Sequence, residues 1–297
     1  MTEFLGAVSG GVGLGAVYTL LALGFVIIYK SMQVISFAQP AFMFAGALLV
    51  TYLTPQIGFF LGVVVAAIGI AAVGLVVERL AIRPMVGKPV FVIAIITIGI
   101  DVIVRTIGGA FVGRDPRQIG DPWGNQTFDL AGVTIYQRHV AAVVVTTLLV
   151  LALLAFFRWT PIGLAMRASA LDQEAAMAQG VSVGSVFAIS WALAGALATV
   201  AGVFAATNTG GSMDRNLWLV ALAALPVIIL GGLDSLGGAV LGGLIIGVLQ
   251  QLVAVYHRDW FPFLDTNLRE ITPYLVMLVV LLVRPHGLFG TKEVERV

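Results

Sequence analysis

The 297-residue chain contains no cysteine. Disulfide frameworks and thiolate metal sites are therefore excluded. Charge is almost as scarce: Asp, Glu, Lys and Arg together make up 10% of the residues, where a soluble domain carries about a quarter. Such a chain could not cover its own surface in water. The net charge of +1 and pI near 8.1 give no ground for a nucleic-acid or acidic partner. Histidine occurs only at 139, 257 and 286, without ligand spacing, so no metal site is expected. The only lysines, Lys30, Lys88 and Lys292, complete no G-x-x-x-x-G-K-[ST] sequence. No G-x-S-x-G or H-E-x-x-H is present either. A catalytic site is not expected, and nucleotide energy would have to come from another polypeptide.

What is abundant is apolar surface: 60% of the residues are hydrophobic and mean hydropathy is +1.05. Runs of about 20 apolar residues can cross a bilayer as helices. They fall at residues 10–29, 34–53, 57–77, 90–112, 140–157, 184–206, 217–233, 236–255 and 271–283. The expected fold is an all-α transmembrane bundle of eight to nine spans forming one domain over residues 1–297. Pro40, inside the second run, predicts a broken or re-entrant helix, because freed backbone is tolerated only where protein covers it. Met1-Thr2-Glu3-Phe4 offers no basic segment of a cleaved signal.

Cations in the loops predict orientation. One side holds Lys30, Arg79, Arg83, Lys88, Arg158, Arg167, Arg284, Lys292 and Arg296. The other holds Arg114, Arg117, Arg138, Arg215, Arg258 and Arg269. The first side is the cytoplasmic candidate, which puts the N-terminus outside and the C-terminus inside.

Within the membrane, Asp101 and Arg105 stand four apart on one helix face, with Thr97 a turn earlier. Two readings stand: an ion pair that fixes helix packing, or a contact to a transported solute. Thirty-five glycines suit close helix approach in lipid. The pairs Gly11/Gly15, Gly58/Gly62, Gly238/Gly242 and Gly243/Gly247 could pack statically or slide during gating.

The loop at 158–183 differs from the others. Thr160-Pro161 suits a helix start, Ser169 with Asp172 three residues on suits a second one, and Gly180 suits a stop. Leu171, Ala175 and Ala178 form a narrow stripe, with Asp172, Gln173 and Glu174 expected to face away. Such a helix either fits a groove on another protein or rests on the bilayer surface.

At this loop the sequence resembles a known family. Glu174-Ala175-Ala176-Met177-Ala178-Gln179-Gly180 fits the E-A-A-x-x-x-G signature of membrane subunits of bacterial ABC importers, without the usual Ile-x-Leu-Pro continuation. The wider string from Thr160-Pro161 through Gly163, Arg167-Ala168, Asp172 and Ala175-Ala176 to Gly180 resembles the branched-chain amino acid importer permeases of the LivH/LivM group, most like the LivH type. Residues 15–24, Ser36-Phe37-Ala38-Gln39 and residues 230–242 are similar to three further segments of that group. Ser36 stands where Asn is usual and Pro40 where Gly is usual.

The resemblance implies a multi-pass permease of the bacterial cytoplasmic membrane that imports branched-chain or related amino acids. Its implied partners are a second, LivM-like permease, two cytoplasmic ATPases carrying ATP and Mg, and a periplasmic or lipid-anchored solute-binding protein. No cofactor is expected on this chain. Arg167, Asp172, Glu174, Ala175, Ala176 and Gly180 would couple it to the ATPases. Ser36, Phe37, Gln39, Pro40, Thr97, Asp101 and Arg105 would line the path. Import of urea or another small polar solute by the same architecture is the alternative. An ion-coupled secondary transporter would want several buried acids, and only Asp101 is found.

Overall fold

The computed structural model describes residues 2–113, 115–130, 132–260 and 268–290. Arg114, Lys292, Arg296, the side chain of Arg258 and part of the 256–269 loop lie outside the described residues. The chain folds as α1 (Thr2–Met32), α2 (Gln39–Ile57), α3 (Phe59–Val77), α4 (Val90–Val112), β1 (Arg117–Gln118), β2 (Thr127–Leu130), β3 (Val133–Tyr136) and α5 (Gln137–Trp159). There follow α6 (Pro161–Leu171), α7 (Gln173–Ala178), α8 (Val183–Asn208), β4 (Ser212–Met213), α9 (Leu219–Leu222), α10 (Ala224–Gly231), α11 (Leu236–Trp260) and α12 (Leu268–Val283). The strands make only two short antiparallel ribbons, β1 with β4 and β2 with β3.

Seven helices among the described residues are long and apolar enough to span: α1, α2, α3 with its π and 3-10 extension to Met85, α4, α5, α8 and α11. Two of the nine expected runs are shorter. The 217–233 run becomes α9 and α10, broken at Ala223. Pro226 explains the break, because its ring clashes with the carbonyl four residues back and it donates no hydrogen bond. The 271–283 run is the 16-residue α12.

Packing defines two ends. The start of α1 lies beside the β2–β3 hairpin, where Thr2 approaches Gly132. At the other end Gln173 Nε2 donates to the Ser31 carbonyl (3.2 Å) and Arg83 Nη2 to the Gly184 carbonyl (2.7 Å). Lys30, Arg167, Pro285 and Gly290 surround one cavity there. Among the described residues, Lys30, Arg83 and Arg167 of one group thus sit at the end opposite Arg117 and Arg138 of the other, as Gly290 sits opposite Thr2.

The helices α1 and α8 form the axis: 94% and 67% of their spanning windows are buried, against 17% for α4 and 22% for α3 and α5. They run in opposite directions, and α1 packs along α11 as α8 packs along α3. Each is followed by a non-helical stretch and then by further helices, α2 to α4 after α1 and α9 to α12 after α8. The first helix of each half, α1–α4 and α8–α12, thus packs on a helix of the other half. Glycine makes the α1–α11 seam possible. A Cβ at Gly11 would come within 2.6 Å of Val248 Cα, and one at Gly15 within 2.9 Å of the Gly243 carbonyl. Close backbone contact of this kind favours the static-packing reading of these glycines.

Candidate functional site

The expected break near Pro40 exists, and it is re-entrant. The chain leaves α1 at Gln33, whose φ of +56° is the only positive value among the described non-glycine residues. Residues 34–38 then turn back into the bundle without helical structure. Pro40 starts the new helix rather than kinking one. It sits in the first turn of α2, where its missing N–H would have had no intrahelical acceptor. Ser36 Oγ accepts the Ala38 N–H (3.3 Å), and the Phe37 N–H donates to Thr97 Oγ1 (3.0 Å) on α4. Thr97 is seven residues into α4, so the segment penetrates about 10 Å at 1.5 Å per residue. Gln39 is wholly buried in the slot left by Gly24, and its amide finds no hydrogen-bond partner.

One turn further along α4, Asp101 lies against the Ala41 amide in the first turn of α2. The first four N–H groups of a helix lack intrahelical acceptors and carry partial positive charge, so a carboxylate suits that position. Arg105 donates from Nε to Asp101 Oδ2 (2.7 Å), with Nη2 at 2.6 Å, while Asp101 Oδ1 has no hydrogen-bond partner. The Arg105 guanidinium lies 3.8 Å from the centre of the Trp218 ring. Trp218 ends a second incursion, from the hairpin end, that leads into α9. The side chains of Asp101 and Arg105 keep 10% and 22% exposure, so the pair borders an open face instead of being sealed in the core. Ser36, Phe37, Gln39, Pro40, Thr97, Asp101 and Arg105 thus converge where the start of α2 and the approach to α9 meet α4, although Gln39 faces α1 and α8.

The loop at 158–183 holds two helices. Thr160 caps α6, its Oγ1 accepting the Gly163 N–H (2.9 Å). The expectation that Ser169 starts the second helix fails: Ser169 is buried inside α6 and its hydroxyl has no partner. Asp172 is the cap, its Oδ1 accepting the Ala175 N–H (3.0 Å). Its short carboxylate reaches the third residue of a helix from an extended backbone, as a cap must. Gly180 ends the element at φ +84°, as expected. Gln173 does not face away, since it donates to the Ser31 carbonyl on α1. Arg167, Leu171, Asp172, Glu174 and Ala175 are exposed, with Leu171 at 91%, whereas Ala176 is buried.

Residues 7–281 match the family model described as branched-chain amino acid transport system / permease component. The chain belongs to that family. This permease is 30% identical to the high-affinity branched-chain amino acid transport system permease protein LivH of Salmonella typhimurium, over 99% of this chain and 98% of the relative. It is 27% identical to the corresponding BraD of Pseudomonas aeruginosa, over 99% and 98% of the two chains. In fold it is similar to the structure of PsaBC from Streptococcus pneumoniae in complex with Fab, with a TM-score of 0.53 and 12% identity over 95% of this chain and 92% of the other.

Sequence reasoning about the permease missed Trp218 and Ala41. Gly210-Gly211 and the polar Asp214-Arg215-Asn216 just before a short apolar run could have marked the second incursion. It also missed the Glu78–Arg83 ion pair (2.9 Å), which ties the end of α3 to α8 through Gly184.

Proposed function

We propose that the chain is one permease of an ABC importer in the bacterial cytoplasmic membrane, passing branched-chain or related aliphatic amino acids. The observation that carries this reading is the meeting of two incursions on the Thr97–Asp101–Arg105 face of α4, at the edge of an open surface. A second permease covers that face, and the solute passes between the two. The α6–α7 end faces the cytoplasm. There the exposed Leu171, Glu174 and Ala175 seat in grooves of separate ATPase subunits, which hold ATP and Mg, and Gln173 carries their motion to the end of α1. A solute-binding protein docks at the hairpin end. The whole chain acts as one domain, with 158–183 as its coupling loop.

The test is uptake of labelled leucine and of urea by vesicles holding the complete complex. Leucine uptake that needs ATP and the binding protein supports the reading, and urea uptake alone replaces the solute. Ala175→Trp should overfill the groove, by about 1–3 kcal/mol for an overpacked site. It should insert normally yet lose its ATPases or uncouple them. Wild-type transport by that variant removes α7 from the coupling path.

A further inference from the structure

A groove on the outside of the bundle shares no residue with the site on α4 or with the coupling loop. It lies between α3 with its extension and the start of α8, and encloses about 420 Å³. Leu75, Val76, Leu80 and Ala188 give it apolar walls, and Glu78, Arg79 and Arg83 give it charge. The charges are not equivalent. A π turn over Glu78–Ile82 brings residues five apart onto one face, so the buried Glu78 takes Arg83 as its counter-ion at 2.9 Å. Arg83 also donates from Nη2 to the Gly184 carbonyl, which leaves its Nη1 donors unspent. Arg79 is exposed and makes no hydrogen bond or ion pair among the described residues. With Glu78 already matched, the groove keeps a positive charge in excess.

The height of that charge narrows the ligand. Helix α3 begins at Phe59, whose ring meets Trp123 at the hairpin end. Arg79 follows 20 residues later, about 30 Å along a helix at 1.5 Å per residue. That is the thickness of the hydrocarbon core, so Arg79 stands at headgroup depth and Leu75 and Val76 lie one turn inside the acyl region. Leu80, 73% exposed, is turned outward beside them. A lone arginine at this depth needs only to reach water along its stem. This one shares an apolar cleft between two helices with the unspent donors of a second guanidinium. One ligand class carries an anion at the interface and a hydrocarbon tail beneath it, the acidic phospholipid. Basic pockets between spans suit such headgroups, and guanidinium donors suit phosphate oxygens.

We propose that this groove binds one anionic phospholipid, its phosphate on Arg79 and the free edge of Arg83 and an acyl chain along Leu75, Val76 and Ala188. Through Arg83 the lipid reinforces the tie between α3 and Gly184, in the first turn of α8. The inference goes beyond the function proposed above and does not depend on the solute. The test uses the complete complex in phosphatidylcholine vesicles that hold a trace of photoactivatable phosphatidylglycerol or, as the matched probe, photoactivatable phosphatidylcholine. After irradiation, labelling is read on the peptides that carry residues 75–80 and 183–188. Phosphatidylglycerol should label them several-fold more than phosphatidylcholine. Arg79→Gln should abolish most of that preference. Ala188→Phe, which fills the cleft and leaves the charges in place, should abolish it too. Arg284→Gln removes an exposed cation beyond α12 at the same end and should keep it. A wild type without the preference overturns the site, as does a preference that survives both Arg79→Gln and Ala188→Phe. Equal loss in all three variants makes the effect one of general surface charge and overturns it as well. Displacement of the probe by excess inorganic phosphate would assign the cations to a free anion instead of a lipid.

Discussion

The two incursions into the bundle are built on the same plan and held by different chemistry. Residues 33–38 are fixed by polar contacts to α4: a backbone amide on Thr97 and a helix start against Asp101. Residues 214–218 meet the same helix mainly through one ring, Trp218 under Arg105. Hydrogen bonds to a buried backbone group are costly to lose, whereas a cation over a ring is worth about 0.5–2 kcal/mol and tolerates sliding. The first incursion is therefore the one more firmly held to α4. Arg105 couples them, because it touches Asp101 on one side and Trp218 on the other.

Removing Arg105 should break the comparison outright. Arg105→Ala leaves Asp101 without its counter-ion in a largely buried setting, and breaking one side of such a pair typically costs about 3–5 kcal/mol. Membrane abundance should fall sharply, while Asp101→Asn, which can stay neutral, should remain near wild type. Equal abundance of the two would show that the pair contributes little. A smaller loss is expected from Thr97→Val, which keeps the shape but strands the Phe37 N–H at about 1–3 kcal/mol. This variant should assemble and lose transport, with faster hydrogen exchange at residues 34–38. Unchanged exchange there would remove Thr97 as the anchor. Trp218→Leu should do least to assembly, about 0.5–2 kcal/mol, and should leave exchange at 34–38 unaltered. Faster exchange at 34–38 in that variant would mean that the halves are not separable.

Legibility in the sequence followed local chemistry. The bounds of α4 were readable to the residue because Pro89 and Gly113 bracket a long, mostly apolar run. The start of α2 was not, because Val34, Ile35, Phe37 and Ala38 are as apolar as any helix. Hydropathy reports burial and says nothing of whether the buried backbone is coiled. Within the site, the spacing of 97, 101 and 105 placed three side chains on one face, as observed. Trp218 was invisible because its partner lies more than 100 positions away and no periodicity links them. In the coupling loop the capping residue was misplaced by one turn. Ser169 and Asp172 both suit a cap, and only the extended backbone at Asp172 decides between them.

The length of α1 has a consequence for the lipid. Its 31 residues reach about 46 Å at 1.5 Å each, well beyond a hydrocarbon core of about 30 Å. A lipid-facing helix of that length would have to tilt or distort the bilayer around it. This one is sheathed along its spanning window by other helices, so it meets almost no acyl chain. The least buried spans are instead α3 with its extension, α4 and α5, which are 27, 23 and 23 residues long. Bilayer thickness is therefore felt at the rim, and the axis keeps its height as chain length changes. Because α4 belongs to that rim by its low burial, the helix that carries Thr97, Asp101 and Arg105 is among the spans least shielded by this chain.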